Sequence, residues 1–169
     1  AQGNDTGVVI EGGTVSTMVG GGVPQLGNVI SGNRVGIVVD GENTASTIIA
    51  ANLIGVNAAG TGVIGNTVNG VEVRNKALLT FLVSAPAYDA PNIICGNGNG
   101  TGGGGILVSS EAQSTLILGS HIGVLANGTT FAGNNPHGVL VTGGGHASVI
   151  GSDFETLGGM EKSARAALE

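Results

Sequence analysis

The groups in this 169-residue chain able to run acid–base or metal chemistry are few: eleven acids, five bases, three histidines and one cysteine. Asp153 and Glu155 are the close carboxylate pair late in the chain, two residues apart. In an extended segment they share a face, and a glycosidase needs two carboxylates about 5–9.5 Å apart. Solvated acids near the end of a repeating region are the plainer reading. His137 and His146 fall in the turn-like stretches "NPHGV" and "GGGHAS". No third ligand stands at metal spacing from them or from His121, so no metal or cofactor is expected. Cys95 sits in the apolar run "NIICGN". It reads as a buried structural thiol, since nothing near it in sequence would make a thiolate. Arg34, Arg74 and Lys76 are the bases of the chain's body; Lys162 and Arg165 lie in its last eight residues. The net charge is −6, and so sparse a basic set excludes a nucleic-acid footprint. No catalytic residue is assigned.

What would position such groups is a repeat. A glycine followed by three strand formers recurs five times: "GVVI" at Gly7, "GIVV" at Gly36, "GVEV" at Gly70, "GILV" at Gly105 and "GVLV" at Gly138. A second burst follows each glycine after 10 or 11 residues, at Thr17, Thr47, Thr80, Thr115 and Ser148. A third, looser segment closes most units: "NVISGN", "GVIGN", "NIICGN" and "FAGNN". Three short strands bury nothing alone. Stacked on their equivalents about 4.8 Å away they enclose a core. The expected fold is therefore all-β: a parallel β-helix of about five coils of 29–35 residues, three short strands each.

The composition agrees. Glycine supplies 34 residues, aromatics 2% and charged residues 9%, so the core must be aliphatic and the turns tight. No apolar run reaches the ~20 residues of a membrane helix, so no membrane span is expected. No signal peptide is visible, and the absence of an initial Met suits a mature protein or an excised fragment.

The segments "NVISGN", "ANLIGVNAAGTGVIGN", "NIICGN" and "HIGVLANGTTFAGN" resemble the right-handed parallel β-helix repeats of the pectin-lyase-like superfamily. The resemblance covers most of residues 7–155. It implies right-handed winding and an extracellular or cell-surface setting. Such repeats occur in lyases, hydrolases, adhesins and non-catalytic stalks alike. "LLTFLVSAPAYDAP" departs most from the pattern, because it loses the Asn/Gly turn chemistry.

Alternation orients the side chains. In the first strand the middle column reads Val9, Val38, Glu72, Leu107 and Leu140; the glutamate points it outward, and its neighbours inward. The next column, Glu11, Asp40 and Arg74, stacks as a salt-bridged edge or as part of a calcium or acidic-sugar site. In the second strand, Thr17, Thr47, Thr80, Thr115 and Ser148 are expected to face out. By parity Val19, Ile49, Leu82, Ile117 and Ile150 then face out beside them. Together these form the candidate binding face, a flat patch of roughly several hundred Å². The alternatives are that variable segments cover this face, or that the phase is reversed and the threonines form a buried hydroxyl ladder.

The expected organisation is a β-helix over residues 1–158. Residues 159–169 follow as a polar tail or short capping helix, partly vector-derived if the final "LE" is a scar. No N-terminal cap is evident, which favours a fragment or end-to-end assembly. The expected role is non-catalytic: a structural or adhesive module presenting its face to polysaccharide, ice or another protein surface, or associating end to end or side to side. An ice-binding protein using the Thr-x-aliphatic array is the first alternative. A polysaccharide lyase or hydrolase is the second.

Overall fold

A computed structural model describes residues 3–84, 90–145 and 149–151. Among them the chain is all β apart from one 3-10 turn at Pro24–Leu26. The first strands of the units are β1 (Thr6–Ile10), β4 (Val35–Asp40), β7 (Asn69–Arg74), β10 (Gly104–Val108) and β13 (Val139–Val141). They pair in that order into one parallel sheet, sheet A. The second strands form sheet B: β2 (Met18–Gly20), β5 (Ala45–Ala50), β8 (Leu78–Val83), β11 (Gln113–Leu118) and β14 (Val149–Gly151). Sheet C stacks β3 (Val29–Ile30), β6 (Leu53–Ile54), β9 (Ile93–Ile94) and β12 (His121–Ile122). Every strand thus pairs with its equivalent one repeat away, as the 29–35-residue period predicts: Val9 with Val38, Val38 with Glu72, Glu72 with Leu107. The molecule is a parallel β-solenoid of four coils and the first two strands of a fifth.

Sheet A obeys its sequence alternation. Ile10, Ile37, Val39, Val71, Val73, Ile106 and Val108 form the core with residues from the other two sheets. The Glu72 side is the outer side. Sheet C places Ile30, Ile54 and Ile94 in the same core. Its outer side, Leu53 and Ile93, is covered by two hairpin excursions that leave coils two and four. These are closed by the antiparallel bridges Val56–Val63 and Val124–Phe131, and Val56 and Leu125 pack beneath them with Cys95.

Sheet B reverses the expected phase. Val19, Ile49, Leu82 and Ile117 lie in the central core, at 8%, 0%, 0% and 2% exposure. Thr47, Thr80 and Thr115, two residues before the latter three, are fully buried beside them. Ile48, Phe81 and Leu116, which the expected phase would turn toward the central core, form a separate buried cluster with Ala50, Val83 and Leu118. The physical reason lies one residue upstream. Ser16, Ser46, Leu79 and Ser114 all adopt left-handed φ, from 54° to 58°. A left-handed residue bends the strand and breaks the period-two alternation, so the phase cannot be carried in from the turn.

The turn between sheets A and B keeps its near-constant length for a related reason. Gly12–Gly13, Asn75–Lys76, Ser110–Glu111 and Gly143–Gly144 are consecutive left-handed pairs. Turns such as Ala77 N–H to Arg74 C=O, Ala112 N–H to Ser109 C=O and Gly145 N–H to Thr142 C=O close over them. This is the two-residue geometry with positive φ at both central positions. Coil two carries one extra residue there. Thr44 fills the space, donating its hydroxyl to the Asp40 carbonyl at 2.8 Å and accepting the Gly13 N–H at 3.2 Å.

Candidate functional site

The threonine face expected to bind ligands is interior. Thr47, Thr80 and Thr115 are at 0% exposure, Ile49 and Leu82 likewise, and Thr17 and Val19 are covered except at the open first coil. Ile150 is exposed because it ends the described stack. Ser148 lies outside the described residues, as do His146, Asp153, Glu155 and residues 159–169. The Oγ1 atoms of Thr47, Thr80 and Thr115 have no hydrogen-bond partner among the described residues. Stacked hydroxyls stand about 4.8 Å apart, while an O–H···O bond needs 2.5–3.0 Å. A hydroxyl is too short to reach the next rung.

An asparagine is not too short, and asparagine is the functional residue that motif reading overlooked. The Asn that closes each third segment forms a ladder: Asn4, Asn33, Asn66, Asn97 and Asn134. Each backbone N–H and each Nδ2 donates to the Oδ1 of the Asn one coil on, at 2.9–3.3 Å. The remaining Nδ2 proton reaches main-chain carbonyls, Ile30 from Asn66 and Ile94 from Asn134 among them. A second ladder runs through Asn28, Asn52 and Asn92, between sheets B and C. Ser120 occupies its fourth position, and the Ser120 Oγ is buried without a partner among the described residues.

This ladder explains the recurring glycine. A Cβ at Gly36, Gly70 or Gly105 would meet the next coil's glycine carbonyl at 2.4–2.7 Å and the ladder Asn Nδ2 at 2.8–3.0 Å. Only glycine lets the strand pass beneath the amide. The two sequence signatures, the strand-leading Gly of one coil and the "GN" that leads into the next coil's Gly, are halves of one contact. Their periodic spacing was the available signal.

The charged groups on the outer side of sheet A neutralise one another. Arg74 Nε donates to Asp40 Oδ2 at 2.7 Å and Arg74 Nη1 to Glu72 Oε2 at 2.7 Å, while Asn69 Nδ2 holds the other Glu72 oxygen. Glu72 lies on the outer side, as expected, but is only 7% exposed. Burial alone would lower the Arg74 pKa; the Asp40 hydrogen bond and the Glu72 and Asp40 charges outweigh it and hold it above its ordinary value. Asp40 and Arg74 thus form the salt-bridged edge read from the sequence, with Glu11 exposed at the first rung. Arg34 grips Asp5 through two nitrogens, a hydrogen-bonded pairing that holds the Asp5 carboxyl below its usual range. A guanidinium held this way positions carboxylates and is no free base. Burial pushes the Cys95 thiol up to about 11. No group of three or more metal-ligating side chains occurs among the described residues.

The fold and these columns define a parallel β-solenoid stapled by asparagine ladders. No family model matches the chain, and no curated protein or solved structure is significantly similar to it.

Proposed function

We infer that this chain is a non-catalytic scaffold module of a secreted or cell-surface protein, a stiff rod that holds or presents neighbouring surfaces. The right-handed winding and pectin-lyase-like kinship suggested by the repeats belong to this reading. The observation that carries it is the unbroken register of sheets A and B, with internal amide ladders that tie each coil to the next along the axis. Every ladder bond resists extension along the direction in which a rod is pulled. The ice-binding alternative needs threonines at the surface, and here they point inward. The lyase alternative is left with Lys76, exposed in a turn, since Arg34 and Arg74 are both ion-paired.

The test uses spin labels on one column, Val15→Cys and Gln113→Cys in a Cys95→Ala background. Both sites are exposed and belong to a column of paired positions three rungs apart. A rod gives one narrow distance of about 14 Å, three strand spacings. A broad distribution would remove stiffness as the function. Unsaturated-sugar absorbance on incubation with uronate polymers and calcium would replace the scaffold reading with a lyase.

A further inference from the structure

Four asparagines stand directly before a glycine: Asn69, Asn97, Asn99 and Asn127. The pair is chemically labile, because glycine has no Cβ to keep its main-chain nitrogen away from the asparagine carboxamide. The fold treats the four unequally. Asn69 is buried, its Oδ1 accepting the Gly104 N–H at 2.9 Å and its Nδ2 held by Glu72. Asn97 is a buried ladder rung whose Nδ2 serves the Ile54 carbonyl and Asn134 Oδ1. Asn127 is exposed on the second hairpin excursion, yet both reacting groups are tied. Its Nδ2, the leaving group, donates to Thr130 Oγ1 at 2.8 Å. The Gly128 N–H, the nucleophile, donates to the Leu125 carbonyl at 2.9 Å.

Asn99 differs at each of these points. It is exposed, in the loop that leads from the third segment of one coil into β10 of the next. Its Oδ1 accepts two hydrogen bonds from Thr101, one from the main-chain N–H at 3.1 Å and one from the hydroxyl. Both donors draw electrons from Cγ and are in place for an oxyanion that forms there. Its Nδ2 has no hydrogen-bond partner among the described residues. The Gly100 N–H reaches the Asn135 carbonyl at 3.3 Å, against 2.8 Å from Gly98 to Asn66 and 2.9 Å at Gly128. A bond of that length is past the range of good N–H···O geometry, so its nitrogen is the least restrained of the three.

We propose that Asn99-Gly100 is a self-modification site, at which the folded protein converts its own asparagine to isoaspartate and aspartate without an enzyme. The Gly100 nitrogen gives its proton to hydroxide and attacks Asn99 Cγ, while Thr101 holds the developing charge on Oδ1. The Cγ–Nδ2 bond then breaks, and Nδ2 leaves as ammonia with a proton from water. The product is a five-membered cyclic imide. Water opens it at Cγ to give aspartate, or at the Asn99 main-chain carbonyl to give isoaspartate. The balance is one water consumed and one ammonia released, with no oxidant or reductant. The imide nitrogen carries no hydrogen, so only the long Gly100 bond is sacrificed. Isoaspartate routes the chain through Cβ and Cγ, which lengthens the loop and sets a new carboxylate two residues from the Asn97 rung. The site does not depend on the scaffold reading, and its failure would leave the spin-label test untouched.

Peptide mapping by mass spectrometry tests it on the folded full chain, aged in mildly alkaline buffer, with isoaspartyl methyltransferase labelling to count the isoaspartate. Asn99 is expected to convert several-fold faster than Asn127, while Asn69 and Asn97 remain amides. In urea the four share one environment, and the ranking should collapse. Thr101→Val should slow Asn99 several-fold and leave Asn127 unchanged, and Thr101→Ser should restore the rate. Asn127 converting as fast as Asn99 overturns the proposal, as does an Asn99 that keeps its amide in the fold over a period that converts it in urea. A ranking that persists in urea would owe nothing to the fold and overturns it too. So does a Thr101→Val chain that ages at the wild-type rate, since Thr101 is what activates Cγ.

Discussion

Replacing Asn66 by alanine removes the middle of the longer ladder. The Asn66 Oδ1 accepts the Asn33 N–H at 3.1 Å and Asn33 Nδ2 at 3.2 Å, and its Nδ2 donates to the Ile30 carbonyl at 3.0 Å and Asn97 Oδ1 at 2.9 Å. The losses are unequal. The Asn33 N–H is stranded inside the protein, which costs about 1–3 kcal/mol. The Ile30 carbonyl still accepts the Gly55 N–H, and Asn97 Oδ1 still accepts the Asn66 main-chain N–H. Those lost bonds therefore cost about 0.5–1.5 kcal/mol each. The total is about 2–6 kcal/mol, a large share of the ~5–15 kcal/mol that holds an ordinary domain together. Urea unfolding should show the midpoint falling with its slope unchanged. Asn66→Asp should be no better at neutral pH, since a carboxylate cannot donate to the Ile30 and Asn97 oxygens. A loss below ~1 kcal/mol, or an aspartate variant as stable as the wild type, would refute the claim that the ladder carries the stack.

Three further outcomes follow from the same geometry. Thr80→Val deletes a buried hydroxyl that has no partner among the described residues and should stabilise by about 1–2 kcal/mol in the same urea assay; destabilisation would mean the hydroxyl is satisfied. Ser120→Asn should extend the shorter ladder by one rung, accepting the Asn92 N–H, and raise stability by about 1 kcal/mol; no gain would place the ladder's value elsewhere. The Cys95 thiol, raised by burial from 9.0 to about 11, should resist alkylation at pH 8 until the protein unfolds. The unfolded thiol ionises first as pH rises, so its contribution is complete below pH 9.0 and lost on approaching 11. Cys95→Ala should abolish that loss in a pH series of unfolding midpoints.

The solenoid was legible because its period is written in glycines and strand formers. Gly36, Gly70 and Gly105 mark the strand starts, and their spacing alone set the parallel register that pairs Val38 with Val9 and Glu72. The direction of sheet A was legible too, since Glu72 between Val71 and Val73 leaves one sensible phase. Sheet B was misread because hydroxyl was equated with surface. "TIIA", "TFLV" and "TLIL" do not alternate; continuous apolar runs are how a parallel strand buried on both faces reads. The left-handed bend before each threonine had only a weak signature, serine at 16, 46 and 114 but leucine at 79. The asparagines were seen as turn residues. Turn chemistry and ladder chemistry use the same side chain, and only spatial stacking separates them.

Cross-strand nuclear Overhauser contacts from the Val38 amide test the central claim most directly. In-register stacking predicts main-chain contacts from Val38 to the residues around Val9 in β1 and Glu72 in β7, in parallel pattern. Contacts from Val38 to β5, the next strand in sequence, in antiparallel pattern would contradict the account.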